Sequence, residues 1–191
     1  MIRDQLRELE VSIFQRNSLL SQRLRPPLSV AEVNAMLKRA RITGAIQIIT
    51  ELYTWRNGTV FDEPLRLSKS GFFPGAIYQF IDLERAIGHM KAYGECVCNC
   101  SPELANMSKR FLPVFWDGAT NWIGIDLDST SNRVVMIRYF VREASFTHGH
   151  YEPEIHENQP PREAYKSFEE FVADAIRANR ENSPLTCFQL K

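Results

Sequence analysis

The sequence has no excess of charge of either sign, because 23 lysine and arginine residues face 23 aspartate and glutamate residues. Proteins that bind a nucleic-acid backbone ordinarily carry a basic excess, since binding releases the counterions around the phosphates. The balance therefore disfavours direct nucleic-acid binding. It conceals an acidic stretch, residues 143–161, which contains four glutamates and no lysine or arginine. This stretch is interpreted either as a solvated surface loop or as a surface that faces a basic partner.

Long apolar runs are also missing. No stretch approaches the roughly 20 apolar residues of a membrane-spanning helix. The first 24 residues include Asp4, Glu8 and Glu10 and lack the apolar centre of a secretion signal. We therefore expect a cytoplasmic protein with no membrane partner.

Common catalytic motifs are absent. The sequence contains no glycine-rich phosphate loop, dinucleotide fingerprint, His-Glu-x-x-His zinc motif or nucleophile-elbow serine. These absences weaken the case for an enzyme, and we expect no catalytic residue and no cofactor.

Cysteine is scarce, and three of the four cysteines are Cys96, Cys98 and Cys100. Zinc sites usually begin with two residues between the first cysteines, whereas only one separates these. Reduced thiols in a strand or loop are the favoured interpretation, and no metal is expected.

The overall composition is typical of a globular domain, because 44% of the 191 residues are hydrophobic. Apolar spacing predicts a helix over residues 2–23, and capping boxes at Ser29 and Ser167 predict helices over about 30–41 and from 168. Further helices are expected between Gly44 and Asn57-Gly58, and between Asp82 and Gly94. We expect a helical extension over residues 1–27, one domain over 28–178 and a loosely held C-terminal tail over 179–191.

Three strands are predicted, at residues 111–116, 122–127 and 133–140. Short connections join them, which favours an antiparallel meander, and Pro113 suggests that the first strand is at an edge or begins near the proline. The predicted fold class is therefore α+β, with an antiparallel sheet and helices packed around it. In the second strand, alternation directs Ile123 and Ile125 to the core and leaves Trp122, Gly124 and Asp126 on a face that a partner could contact.

Two groups of polar residues could support chemistry. Asp117, Asp126 and Asp128 could perform acid–base work or hold a hard cation, although aspartates at strand ends more often form turns. A second group falls at every other position of a histidine-rich segment, a plausible metal-ligand set in a small metal-dependent enzyme. Its members are His148, His150, Glu152, Glu154 and His156. Consecutive ligands in an extended strand lie about 6.5 Å apart, and Pro153 interrupts the run, so an acidic surface loop is favoured.

The motifs, taken in order, resemble the SUKH superfamily, a cell-wall-regulator-like domain used widely as a bacterial immunity protein. They are the capped helix at Ser29, "LYTWRNGT", "YQFIDLERAIGHM", "FLPVFWDGATNWIGIDLD", "RVVMIRYF" and "SFEEFVADAI". The resemblance covers about residues 28–178 and implies an α+β fold. It also implies non-catalytic binding of a cognate polymorphic or contact-dependent toxin in the cytoplasm. A regulatory protein-binding scaffold outside toxin systems is the alternative.

Aromatic and acidic side chains are the candidates for contact with the toxin, since aromatics anchor interfaces and charges steer association. The alternative for the tryptophans is packing in the core. The candidate residues are Trp116, Asp117, Trp122, Asp126, Asp128, Glu152, Glu154 and Glu157.

Overall fold

The computed structural model describes residues 2–60, 72–74, 78–97, 110–117, 121–128, 132–138 and 162–189. Their helices are α1 (Ile2–Arg16), α2 (Ser18–Gln22), α3 (Val30–Ala40), α4 (Ile46–Trp55), α5 (Leu83–Val97), α6 (Phe168–Glu181) and α7 (Thr186–Gln189). Their strands are β1 (Gln79–Phe80), β2 (Phe111–Trp116), β3 (Asn121–Asp126), β4 (Val134–Arg138) and β5 (Arg162–Tyr165).

The strands form one five-stranded sheet in the order β1-β2-β3-β4-β5, and every neighbouring pair is antiparallel. The predicted α+β fold class with an antiparallel meander is thereby confirmed. Of the two expectations for β2, the edge position is wrong, because β2 lies between β1 and β3. The start near the proline is confirmed, because β2 begins at Phe111. A register shift between Pro113 and Phe115 accommodates the proline, and β1 pairs only with Phe115 and Trp116, so no β1 residue is paired with Pro113.

Local capping explains where the helices begin. The Ser29 side chain accepts a hydrogen bond from the Glu32 amide, and the Ser29 amide donates one to the Glu32 carboxylate, which completes the predicted capping box. Asp82 accepts from the Arg85 amide at 2.9 Å and so caps α5 as predicted.

Two helix boundaries differ from the sequence prediction. The first helix is broken at Asn17, whose side chain accepts from the Leu20 amide and caps the separate helix α2. Helix α5 continues past Gly94 to Val97, since an isolated glycine weakens a helix without always ending it.

Within the core, a group of phenylalanines connects the sheet to the helices. Phe115 on β2 contacts Phe72, Phe80 and, on α6, Phe171, with ring centroids 5.0–5.5 Å apart. Helix α1 packs against α6 and contributes four residues to the same core cluster, Ile2, Leu6, Leu9 and Ile13. The core therefore includes residues from the N-terminal segment.

The segment after α4 connects this helix to α5. The Asn57 side chain accepts a hydrogen bond from the Leu83 amide at 3.1 Å. Gly58 has a φ of +80°, and a Cβ there would lie 2.5 Å from the Asp82 amide nitrogen. Only glycine suits both the left-handed backbone and this close approach. Trp55 donates to Glu10 on α1 at 2.8 Å, so Trp55, Asn57 and Gly58 all have structural roles.

The C-terminal segment differs from the loosely held tail that the sequence suggested. Leu185 and Cys187 are buried, with exposed fractions of 0% and 4%. Asp174 on α6 accepts hydrogen bonds from the Thr186 amide and hydroxyl at 2.7 and 2.9 Å. Apolar burial and a specific carboxylate contact therefore hold α7 against the domain.

Candidate partner-binding surface

The two predicted tryptophans meet at one end of the β2–β3 pair. Trp116 ends β2 and Trp122 follows the first residue of β3, and the antiparallel register places them directly opposite each other. Their rings stack with centroids 5.2 Å apart and an interplanar angle of 10°. Both remain half-buried at the margin of the core. They therefore combine core packing with an accessible aromatic surface.

A histidine completes this group. His89 on α5 lies 4.7 Å from the Trp122 ring and 5.6 Å from the Trp116 ring, measured between centroids. We call Trp116, Trp122 and His89 the tryptophan–histidine cluster. Aromatic contacts of this kind contribute about 0.5–1.5 kcal/mol each beyond the area that they bury. They hold the two indoles in one orientation, which reduces the entropy that a partner must remove on binding.

The surroundings of the histidine favour its neutral form. Burial lowers the pKa of His89, the nearby Arg85 charge lowers it further, and the Asp82 carboxylate opposes them in part. A neutral imidazole beside two indoles makes this surface aromatic and weakly polar rather than cationic.

Asp117 lies next to the cluster and closes the turn. Its carboxylate accepts hydrogen bonds from the Asn121 backbone amide, at 3.0 Å, and from the Asn121 side-chain amide. The Asp117 amide donates to the Asn121 carbonyl at 3.1 Å. These bonds are typical of a turn-forming aspartate, the more common role that the sequence suggested.

Asp126 and Asp128 lie at the opposite end of the hairpin. Five residues of extended chain separate Asn121 from Asp126 by about 17 Å. The three aspartates therefore do not converge on one site, and the structure does not bring them together for acid–base work or for a shared cation.

Asp126 is enclosed by basic side chains. It is 6% exposed, and its carboxylate accepts from Arg133 at 2.7 Å and pairs with Arg110 at 3.5 Å. Arg133 also pairs with Glu163 at 3.1 Å, and hydrogen bonds to Asp126 and Glu163 raise the pKa of Arg133. Asp126 thus has little surface left for a partner and serves to hold β3 to β4 and to the start of β2.

Asp128 remains accessible. Its side chain is 60% exposed and pairs with Arg110 at 2.9 Å. Exposed pairs of this kind stabilise a fold by no more than about 1 kcal/mol, so the carboxylate can exchange Arg110 for a partner's cation.

The expected open face of β3 is largely covered. An added Cβ at Gly124 would lie 2.3 Å from the Leu112 carbonyl oxygen and 2.6 Å from the Phe111 ring. Phe111 is paired with Asp126 across the strands, and its side chain lies over Gly124. The expectation that Trp122, Gly124 and Asp126 form a contiguous contact face is therefore wrong, and the accessible part is the Trp122 end.

Several sequence predictions lie outside the described residues. They concern His148, His150, Glu152, Glu154, His156, Glu157, Cys98 and Cys100. Cys96 falls within α5. Across the described ranges, no three His, Cys, Asp or Glu side chains are grouped closely enough to hold a metal ion. None of the helices in those ranges combines the length and apolar character needed to cross a bilayer.

His89 is the member of the cluster that the sequence did not single out. The apolar positions Leu83, Ala86, Ile87 and Met90 mark the buried side of α5, and position 89 falls at its margin. That pattern could have indicated a half-buried histidine. Its tryptophan neighbours could not have been inferred, because they depend on how α5 crosses the sheet.

No family model matches this chain, and the search of curated proteins finds no significant match.

Proposed function

We propose that this protein is a non-catalytic immunity protein that binds and neutralises a cognate bacterial toxin in the cytoplasm of the producing cell. The observation that carries the proposal is the half-exposed tryptophan–histidine cluster at the end of the β2–β3 pair. Tryptophan is among the residues most often responsible for binding energy at protein interfaces, especially when it is rigid and partly desolvated before association.

The order of the sequence motifs supports the same function. The segments that resemble the SUKH superfamily correspond to α3, α4, β1 with α5, the β2–β3 hairpin, β4 and α6. In such a protein, toxin binding relies on shape and charge, and no residue of this chain needs to react.

Acidic side chains supply steering in this proposal. Asp128 is the described candidate with an exposed carboxylate, and Glu152, Glu154 and Glu157 are the candidates from the acidic stretch. Long-range attraction of this kind raises the association rate more than it lowers the dissociation rate, and salt weakens it. Asp126 is left out of the proposed contact surface because its carboxylate is buried against Arg110 and Arg133.

The decisive experiment is co-expression with candidate toxins encoded beside the gene. The intact protein should rescue growth, and an unrelated protein of similar size should not. Trp122→Ala should then weaken toxin binding at least tenfold, since loss of a central aromatic anchor commonly costs 2 kcal/mol or more. Calorimetry with the purified toxin, together with a thermal melt of the variant, measures this loss in a folded protein.

Leu19→Ala is the matched control, because Leu19 is a large apolar side chain with 67% exposure on α2, away from the cluster. It should leave affinity unchanged. Failure of every neighbouring toxin to be neutralised would contradict the immunity function. Unchanged affinity in Trp122→Ala would contradict the location of the surface. Asp128→Lys tests steering, and it should slow association and reduce its dependence on salt.

A further inference from the structure

A second surface lies between α3 and α5. It is a groove of about 200 Å³, open to solvent, which we call the α3–α5 groove. Its lining residues are Met36, Arg39, Ala40, Glu84, Ile87, Gly88 and Lys91. Ligand pockets for cofactors and drug-sized molecules usually measure about 300–1,000 Å³. The α3–α5 groove is therefore suited to one side chain and its flanks rather than to a whole cofactor.

Gly88 keeps this groove open. It lies in the middle of α5, where glycine is less favourable than alanine by about 1 kcal/mol. A Cβ at this position would meet no atom within 4 Å, so no packing contact requires glycine here. The absent side chain instead leaves space beside Ile87 and Met36 that an apolar group from another molecule could fill.

Basic side chains border the same space. Arg39 and Lys91 are exposed, and neither forms an ion pair with any of the described residues. Glu84 precedes Lys91 by two helical turns, a rise of about 10 Å, so its negative charge lies away from the Lys91 end. The Lys91 end of the groove is therefore complementary to a carboxylate.

We propose that the α3–α5 groove binds a short acidic segment of a partner protein, with one apolar side chain over Gly88 and carboxylates beside Arg39 and Lys91. A nucleic acid fits less well, since the described lining offers no aromatic ring for base stacking and the whole chain has no basic excess. This surface is separate from the tryptophan–histidine cluster and does not depend on the toxin proposal.

The test is a selection of random 12-residue peptides displayed on phage against the intact protein. The expected consensus contains several acidic residues around one leucine, isoleucine, valine or methionine. Fluorescence anisotropy of the labelled consensus peptide then gives the affinity. Gly88→Leu fills the groove with a good helix former and should weaken binding at least tenfold. Lys91→Glu should weaken it about tenfold, and Glu84→Gln should strengthen it roughly twofold.

Lys166→Glu provides the control, because it reverses an exposed charge outside the groove and should leave the affinity unchanged. Thermal melts of all four variants verify folding. The proposal is overturned if no peptide is enriched, if the consensus is basic, or if Gly88→Leu binds the peptide as tightly as the intact protein. Lys91-dependent binding of polyuridylate or of phosphatidylserine vesicles without peptide binding would also overturn it.

Discussion

Replacing Gly124 by alanine tests whether the second face of β3 is covered. The added Cβ would lie 2.3 Å from the Leu112 carbonyl oxygen and 2.6 Å from two atoms of the Phe111 ring, whereas ordinary van der Waals contact begins at 3.4 Å. The nearest of these atoms belongs to the backbone of the paired strand. A rotamer change at Phe111 therefore cannot relieve the overlap, and β2 must shift relative to β3.

The size of the effect follows from two opposing terms. Overpacking a well-packed site costs about 1–3 kcal/mol, and replacement of glycine by alanine recovers about 0.4–1 kcal/mol because the unfolded chain becomes less flexible. We expect a net loss of about 1–2 kcal/mol in the free energy of unfolding. For a domain of this size, that corresponds to a fall in Tm of about 2–8 °C.

Gly88→Ala is the matched substitution with the opposite expected sign. No atom lies within 4 Å of its added Cβ, and alanine is the better helix former. The free energy of unfolding should rise by about 0.5–1 kcal/mol. Urea titrations followed by circular dichroism measure both variants against the intact chain. If Gly124→Ala proved as stable as the intact protein, the coverage of this face by Phe111 and Leu112 would be refuted.

Three further outcomes follow from the charged and polar groups. Because the pKa of His89 is lowered in the folded state, the free energy of unfolding should fall as the pH drops below about 6.5. Urea titrations at pH 7.5 and 5.5 should show a smaller fall for His89→Gln than for the intact protein. Asp126→Asn removes a buried carboxylate that two arginines contact and should cost about 2 kcal/mol in the same assay, whereas Asp128→Asn should cost under about 0.5 kcal/mol. Partial burial opposes ionisation of Asp174, but hydrogen bonds from Tyr165, Thr186 and Arg177 outweigh this effect and lower its pKa. Asp174→Asn should therefore destabilise the protein at pH 7, and the loss of stability should become smaller as the pH falls below 3.8.

The helices and the meander could be predicted because their signals are local. Ser29 bonds to a residue three positions later, and Asp82 does the same at the start of α5. The connections between the strands are too short for the crossover that parallel neighbours need, so the antiparallel arrangement could be predicted. These features depend on residues close together in the chain and not on the tertiary fold.

The environment of each charged residue could not be predicted in the same way. Asp126 contacts Arg110, 16 residues earlier, and Arg133, seven residues later, across two different strands. The alternation of side chains along β3 predicted that Asp126 lies on an open face. This pattern contains no information about Phe111 or about the bulge after Pro113. The tryptophan pair depends on the same register, and a shift of one residue would separate the two rings.

Helix α5 connects the two proposed surfaces and also keeps them independent. His89 contacts the tryptophans, whereas Gly88, its neighbour in sequence, lines the α3–α5 groove. Successive residues of an α-helix are rotated by about 100°, so adjacent side chains point to different neighbours. Gly88→Leu should therefore weaken peptide binding without moving Trp116 or Trp122, and the tryptophan emission maximum should stay that of the intact protein. A shifted emission maximum in Gly88→Leu would mean that α5 transmits the change from the groove to the tryptophans. Single substitutions in this helix could then not separate binding at the α3–α5 groove from binding at the tryptophan–histidine cluster.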